Sequence, residues 1–409
     1  MAPKPRTGWG IGLTLLALAI IGWFTLRPSP DDAEAAARVS WTCLFPCGDQ
    51  SLRDALLNVA LFVPLGLAAT LIFPPLRALL VAVLVTVTVE FIQFRYLLGR
   101  DPSLRDLLTN TLGAGLGILL STRWRTLLLP APRPAAALTA AGGLGWLAAL
   151  LATGILLRPS LPQSVYWGQW APELGQFDTW RGQLLAAEVN GWPLPSGRLA
   201  DSDHLRRLLE QDSVMVSARV ILGPPTADLA PIVSVFDSEQ REIFVLGQLG
   251  EGLVFRIRSG LRAAELGDQT LLLPRLPASS PGDTLLLQGG VAGRAWILAA
   301  RGPAGGVVRR VPFSMGLLWS ALVPFRPLLG ELAAVWSGLW LGALLFPAAW
   351  WAGRAGAHGV AFGIGAMLAL VLVSRVLGLP LPAPAEALGS LAGGAAGGWL
   401  GRRSRGWRP

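Results

Sequence analysis

Lysine, histidine, cysteine and tyrosine are nearly missing from this chain of 409 residues, which has one lysine (Lys4) and only two of each of the others. The scarcity excludes several kinds of chemistry. His204 and His358 stand alone, so neither begins a metal-ligand cluster or a catalytic triad. Cys43 and Cys47 form a C-x3-C pair with no histidine nearby, which argues against a metal site but allows a disulfide. No Walker motif or dinucleotide fingerprint occurs, and no cofactor is called for. Charge is also thin, at 14% of residues against 52% hydrophobic, and mean hydropathy is +0.52. Nearly uncharged runs of 17 to 23 residues recur, long enough as helices to cross a hydrocarbon core of about 30 Å. The formal charge of +9 sits mainly at the borders of these runs, where it reports orientation and not nucleic-acid binding.

These runs predict an α-helical polytopic membrane protein of about eight transmembrane helices, with an inserted all-β sandwich or jelly-roll domain on the exterior. The expected division is a first transmembrane helix in 1–27, an exterior loop in 28–50 and a helical core in 51–129. A fifth transmembrane helix in 130–159 and the β domain in 160–306 follow. An interfacial segment in 307–330 leads to three C-terminal helices and a basic tail in 331–409. Lys4 and Arg6 at one end, and Arg402, Arg403, Arg405 and Arg408 at the other, place both termini in the cytoplasm and residues 160–306 outside. A cleaved signal peptide ending near Ala33-Glu34-Ala35 is the competing reading of the first run.

The β expectation rests on alternation. Val214, Val216, Ala218, Val220 and Leu222 share one face of a strand, and strands at 232–236, 242–246 and 252–259 follow between polar or glycine turns.

Polar residues interrupt the apolar runs in one region. Glu90 and Gln93 are three apart at the end of the third run, Arg95 and Arg100 follow in a loop, and Asp106 and Asn110 open the fourth. A hairpin would gather them at the outer boundary, where ionisable groups are kept only with a partner or a task. Ser51-Leu52-Arg53-Asp54-Ala55-Leu56-Leu57-Asn58 returns as Ser103-Leu104-Arg105-Asp106-Leu107-Leu108-Thr109-Asn110. Each copy has a serine N-cap and an acid at N3, so two similar helix caps would also account for the repeat. A fainter echo at an offset of 280 aligns Asp106, Asn110 and Gly113 with Glu386, Ser390 and Gly393, while Glu90 and Gln93 become Leu370 and Val373. It reads as a degenerate parallel duplication. An ion-pair network that only fixes the hairpin remains the alternative to a ligand site.

Asn58-Val59-Ala60-Leu61-Phe62-Val63-Pro64-Leu65-Gly66, Glu90-Phe91-Ile92-Gln93, Gly99-Arg100 and Asp106-Leu107-Leu108-Thr109-Asn110-Thr111-Leu112-Gly113 together resemble the VanZ-like membrane proteins. The resemblance covers roughly residues 8–125. It implies a bacterial envelope setting and a link to glycopeptide antibiotic resistance, but no reaction. The strings Ile232-Val233-Ser234-Val235-Phe236-Asp237, Ile243-Phe244-Val245-Leu246 and Leu253-Val254-Phe255-Arg256-Ile257-Arg258 are similar to laminin-G-like, concanavalin-type domains. That likeness implies glycan binding, for which Trp167, Trp170, Trp180 and Trp192 are candidate stacking groups. The expected ligand or polar-network set is Asn58, Glu90, Gln93, Arg95, Arg100, Asp106 and Asn110, with no catalytic residue assigned. Expected partners are the lipid bilayer and lipid-linked or surface glycans, with no nucleic acid. Non-enzymatic recognition is the favoured reading; an intramembrane enzyme using Glu90 or Asp106, or a small-solute or lipid transporter, are the alternatives.

Overall fold

The computed structural model describes residues 7–27, 51–97, 103–173, 177–267, 270–293, 295–322 and 332–406. Cys43, Cys47 and Arg100, with the exterior loop at 28–50, lie outside the described residues.

Six helices precede the β part: α1 (Thr7–Thr25), α2 (Ser51–Ala69), α3 (Pro75–Tyr96), α4 (Leu104–Thr122), α5 (Trp124–Leu128) and α6 (Pro132–Leu156). Six further helices are α7 (Ser202–Leu209), α8 (Gly260–Ala263), α9 (Trp319–Leu322), α10 (Ala333–Ala355), α11 (Gly359–Val376) and α12 (Pro384–Arg403). Of these, α1, α2, α3, α6, α10 and α11 are long and apolar enough to cross a membrane. Helices also form at the other two expected spans, α4 and α12, but they are less apolar. Arg105, Asp106 and Asn110 dilute α4, and glycine fills much of α12. Among the described residues six helices meet that length and composition, which does not confirm the expected count of about eight.

The chain divides into two compact units, the first from 1–140, 348–359 and 397–409, the second from 141–347 and 360–396. In the first unit, Ala17 and Ile21 of α1, Phe62 and Leu65 of α2, Ala82 and Val89 of α3 and Ala114 of α4 form one buried cluster. Glycine brings α2 and α4 together. A Cβ placed on Gly66, Gly113 or Gly117 would come closer than 3.0 Å to the carbonyl oxygen of Ala114, Val59 or Val63 respectively. Small residues that admit backbone contact are how helices associate in lipid, where burial of apolar surface supplies no drive. Neighbours rise together along both chains (Val59 with Gly113, Val63 with Gly117), so α2 and α4 run parallel.

The faint echo has a structural counterpart. Tyr96 and Val376 end α3 and α11, and Leu104 and Pro384 begin α4 and α12, all at the same offset of 280. Gly389 and Gly393 of α12 press on the carbonyls of Gly338 and Gly342 of α10, as Gly113 and Gly117 press on α2.

Among the described residues of the second unit, twelve strands make two six-stranded antiparallel sheets. One has the order β4-β1-β6-β7-β8-β9, from β1 (Tyr166–Trp170), β4 (Gly197–Arg198), β6 (Thr226–Asp237), β7 (Glu242–Gly250), β8 (Gly252–Ile257) and β9 (Thr270–Leu273). The other has the order β12-β11-β10-β5-β2-β3, from β2 (Gln183–Val189), β3 (Trp192–Pro193), β5 (Val214–Ile221), β10 (Thr284–Ala292), β11 (Ala295–Gly302) and β12 (Gly305–Pro312). Val214, Val216, Ala218 and Val220 are buried as the alternation requires. One strand reaches past the expected division. Strand β12 carries the β part to Pro312, into the segment assigned to the membrane interface. Strand β1, Tyr166–Trp170, has no aliphatic residue to announce it.

Asp237 secures the β6–β7 turn. Its carboxylate is fully buried and accepts the N–H groups of Glu239 (2.9 Å) and Arg241 (2.8 Å), the Arg241 Nε (2.7 Å) and the Ser164 hydroxyl (3.2 Å). Burial alone would raise its pKa, but the Arg241 N–H and guanidinium, then the Glu239 N–H, outweigh burial and hold it below the ordinary 3.8. The stabilisation is therefore complete above that ordinary value and is lost as pH falls through the depressed one. Asp237→Asn should cost about 2 kcal/mol in the β part at pH 7. The difference from wild type should shrink below pH 3.8, which denaturant melts of the full chain followed by β-sheet circular dichroism will read.

Candidate functional site

The end of α3 and the beginnings of α2 and α4 lie together. Ser103 is the N-cap of α4, its hydroxyl accepting the Asp106 N–H at 3.0 Å. The Ser103 N–H in turn donates to Glu90 Oε2 at 3.1 Å, which joins α3 to α4. Asn58 Nδ2 donates to Asp106 Oδ1 at 2.8 Å and joins α2 to α4. The two copies of the short repeat thus meet through the asparagine of one and the aspartate of the other, which goes beyond two similar helix caps.

Arg105 completes the set. Its Nε lies 3.4 Å from Asp106 Oδ1, its side chain is only 7% exposed, and its buried Nη1 has no partner among the described residues. Asn110, one helical turn deeper on the Asp106 face, is 2% exposed and its Oδ1 is likewise unpartnered. A buried donor and a buried acceptor left over in one helix are uncommon, since each costs roughly 1–3 kcal/mol of desolvation.

The remaining expected residues separate. Gln93 is buried, but it turns to α1 and donates to the Thr25 carbonyl at 3.0 Å. Arg95 is exposed beside the Tyr96 ring, 5.5 Å from its centroid, and is not part of the cluster. Residues 90 and 93 share a helix face; residue 95 falls on the other side. Sequence reasoning missed Arg105, although its recurrence as Arg53 in the short repeat marked it.

The second copy treats its acid differently. Glu386, aligned with Asp106, is completely buried. It accepts the Ser314 hydroxyl (2.5 Å) and the N–H groups of Gly316 (2.7 Å) and Ala383 (3.1 Å). Leu370, aligned with Glu90, lies in the hydrophobic core with Trp146, Leu150 and Leu341. In this copy the acid is satisfied within the fold, while the buried Ser390 hydroxyl, aligned with Asn110, has no partner among the described residues.

In the β part, Trp180 is 4% exposed and donates to Gln248 Oε1 at 2.9 Å, so it fills the core and cannot stack on a sugar. Trp192 packs against the His204 ring, with centroids 5.4 Å apart. Trp170 donates to the Leu194 carbonyl at 2.9 Å. Trp167 is 40% exposed on β1.

Among the described residues, six helices long and apolar enough to cross a membrane mark a multi-pass membrane protein. Residues 14–126 match the family model described as VanZ/LLP1, and this N-terminal part is VanZ-like. No curated protein and no solved structure matches the chain.

Proposed function

We propose that the protein recognises a lipid-linked or surface glycan of the bacterial envelope at the helix-end cluster of Glu90, Asn58, Arg105, Asp106 and Asn110. The observation that carries this reading is the leftover hydrogen-bonding capacity of Arg105 and Asn110 in a buried setting. Carboxylate, carboxamide and guanidinium groups together offer both acceptors and donors. That mixture complements vicinal hydroxyls, and the guanidinium fork also suits a phosphate linkage. Helix ends near a membrane boundary bring such a headgroup within reach while its lipid stays in the bilayer.

The two antiparallel sheets support a laminin-G-like or concanavalin-type reading of the β part, with Trp167 and Trp170 as exposed aromatic groups. The basic termini support a cytoplasmic-membrane orientation with both ends inside and the β part outside. Glu90 of α3 and Asp106 of α4 keep the enzymatic alternative open.

The full chain in nanodiscs, titrated with polyprenyl-phosphate-linked sugars and with glycolipids, should show saturable binding without turnover. Conversion of the amphiphile would favour the enzyme, and counterflow in liposomes the transporter. No binding to any of these amphiphiles would remove the reading.

A further inference from the structure

Three arginines meet in the first unit where α10 and α12 end, and they share no residue with the helix-end cluster. Arg354 is 7% exposed and donates Nη1 to the Ser404 carbonyl at 2.7 Å. Arg405 donates Nε and Nη2 back to the Gly353 carbonyl at 3.0 and 2.8 Å. Arg402 donates Nε to the Ala357 carbonyl at 2.9 Å and Nη2 to the Gly356 carbonyl at 3.3 Å. Arg402 and Arg405 converge on one residue, because Arg405 Nη2 also lies 3.0 Å from where a Cβ on Gly356 would stand. We propose that these two guanidinium groups bind the phosphate of an anionic phospholipid of the bilayer beside Gly356.

Helix capping does not account for three cations. Gly356 already closes α10: its φ is +118°, and the Ala357 N–H donates to the Ala352 carbonyl at 2.9 Å, as in a Schellman turn. The partial charges at the two helix ends together supply only about one negative charge. No aspartate or glutamate occurs in 107–172, 332–385 or 387–409. Arg354 Nε donates to the Pro130 carbonyl at 3.0 Å, which ties the arginines to the chain just beyond α5. Asp106 stands at the other end of α4, about 24 Å from its close at Thr122. The positive charge gathered here therefore calls for an anion from outside the chain. A guanidinium has five N–H groups, and the carbonyl bonds of Arg402 and Arg405 leave several free on each. Those bonds also fix both forks, so little side-chain freedom is lost on binding.

Position selects a lipid over a soluble anion. Gly356 lies in the turn between α10 and α11, both apolar enough to span a membrane, so the turn stands at a bilayer surface. Trp399, one turn before Arg403 on α12, is 55% exposed, and the Arg403 Cζ lies 4.6 Å from its ring centroid. An exposed indole at a helix end belongs to the headgroup layer. Arginines clustered there attract anionic lipids, and the planar fork matches a phosphodiester.

The test reconstitutes the full chain in mixed nanodiscs of phosphatidylcholine and phosphatidylglycerol, then measures retained lipid by native mass spectrometry after transfer to detergent. Wild type should retain phosphatidylglycerol selectively, and R402Q/R405Q should retain at least tenfold less. R403Q, which removes a charge that stacks on Trp399 and does not reach Gly356, should retain as much as wild type. Equal retention by wild type and R402Q/R405Q overturns the proposal. So does an equal loss in R403Q, which would mark a diffuse basic fringe and no site. Equal retention of phosphatidylcholine, or full displacement by soluble glycerol phosphate, overturns it as well. If R402Q/R405Q does not fold, R405Q, at an exposed position, decides by the same outcomes.

Discussion

Gly113→Val is expected to abolish accumulation of folded protein. The new side chain would start closer than 3.0 Å to the Val59 carbonyl, and a backbone atom cannot swing aside as a flexible side chain can. Overpacking usually costs about 1–3 kcal/mol. Here α2 and α4 must separate along their whole contact, so about 3 kcal/mol or more is expected, enough to consume much of a marginal stability. Gly115→Ala is the matched comparison, because a Cβ at Gly115 meets nothing within 4 Å. Its thermal midpoint in detergent should equal that of wild type or rise. Equal midpoints for both variants would show that α2 and α4 do not touch through this face.

The second large effect separates the two charged neighbours at the head of α4. Asp106→Ala removes the shared acceptor of Asn58 Nδ2 and Arg105 Nε. Arg105 is then a buried cation without its acid, a situation that typically costs about 3–5 kcal/mol. Asp106 is itself 20% exposed, so about 3 kcal/mol is the reasonable size. Asn58→Ala deletes one hydrogen bond and should cost about 1 kcal/mol. Arg105→Met should act in the opposite sense on stability. It removes the buried Nη1 that has no partner among the described residues along with the long Nε contact to Asp106, while Asp106 keeps its shorter bond from Asn58.

The helices were legible because uninterrupted apolar runs specify them almost without tertiary help, and α2 to α4 and α10 to α12 fall inside the stretches 51–129 and 331–409. The polar cluster was legible in part. Glu90 and Asp106 stand out against hydrocarbon, and in the α3–α4 hairpin both are hydrogen-bonded to Ser103. Arg95 was drawn in by proximity along the chain, although helical periodicity turns it to the opposite side. Arg105 was hidden by its neighbour: within Ser-Leu-Arg-Asp it resembled an ordinary charged flank, and only packing of α4 against α2 and α3 buries it. Trp180 shows the same limit in the β part, because an aromatic residue in a polar stretch does not reveal whether it faces solvent or the sheet interior. The aliphatic alternation of Val214 to Val220 left no such doubt.

The central claim is that the helix-end cluster is kept for a ligand and not merely for the fold, and Arg105→Met tests it most directly. Thermal midpoint and affinity for a polyprenyl-phosphate-linked sugar would be measured on the same nanodisc preparations of wild type and variant. The account predicts an unchanged or higher midpoint, with affinity at least tenfold weaker, about 1.4 kcal/mol. A lower midpoint with affinity retained would contradict it and make Arg105 a structural residue.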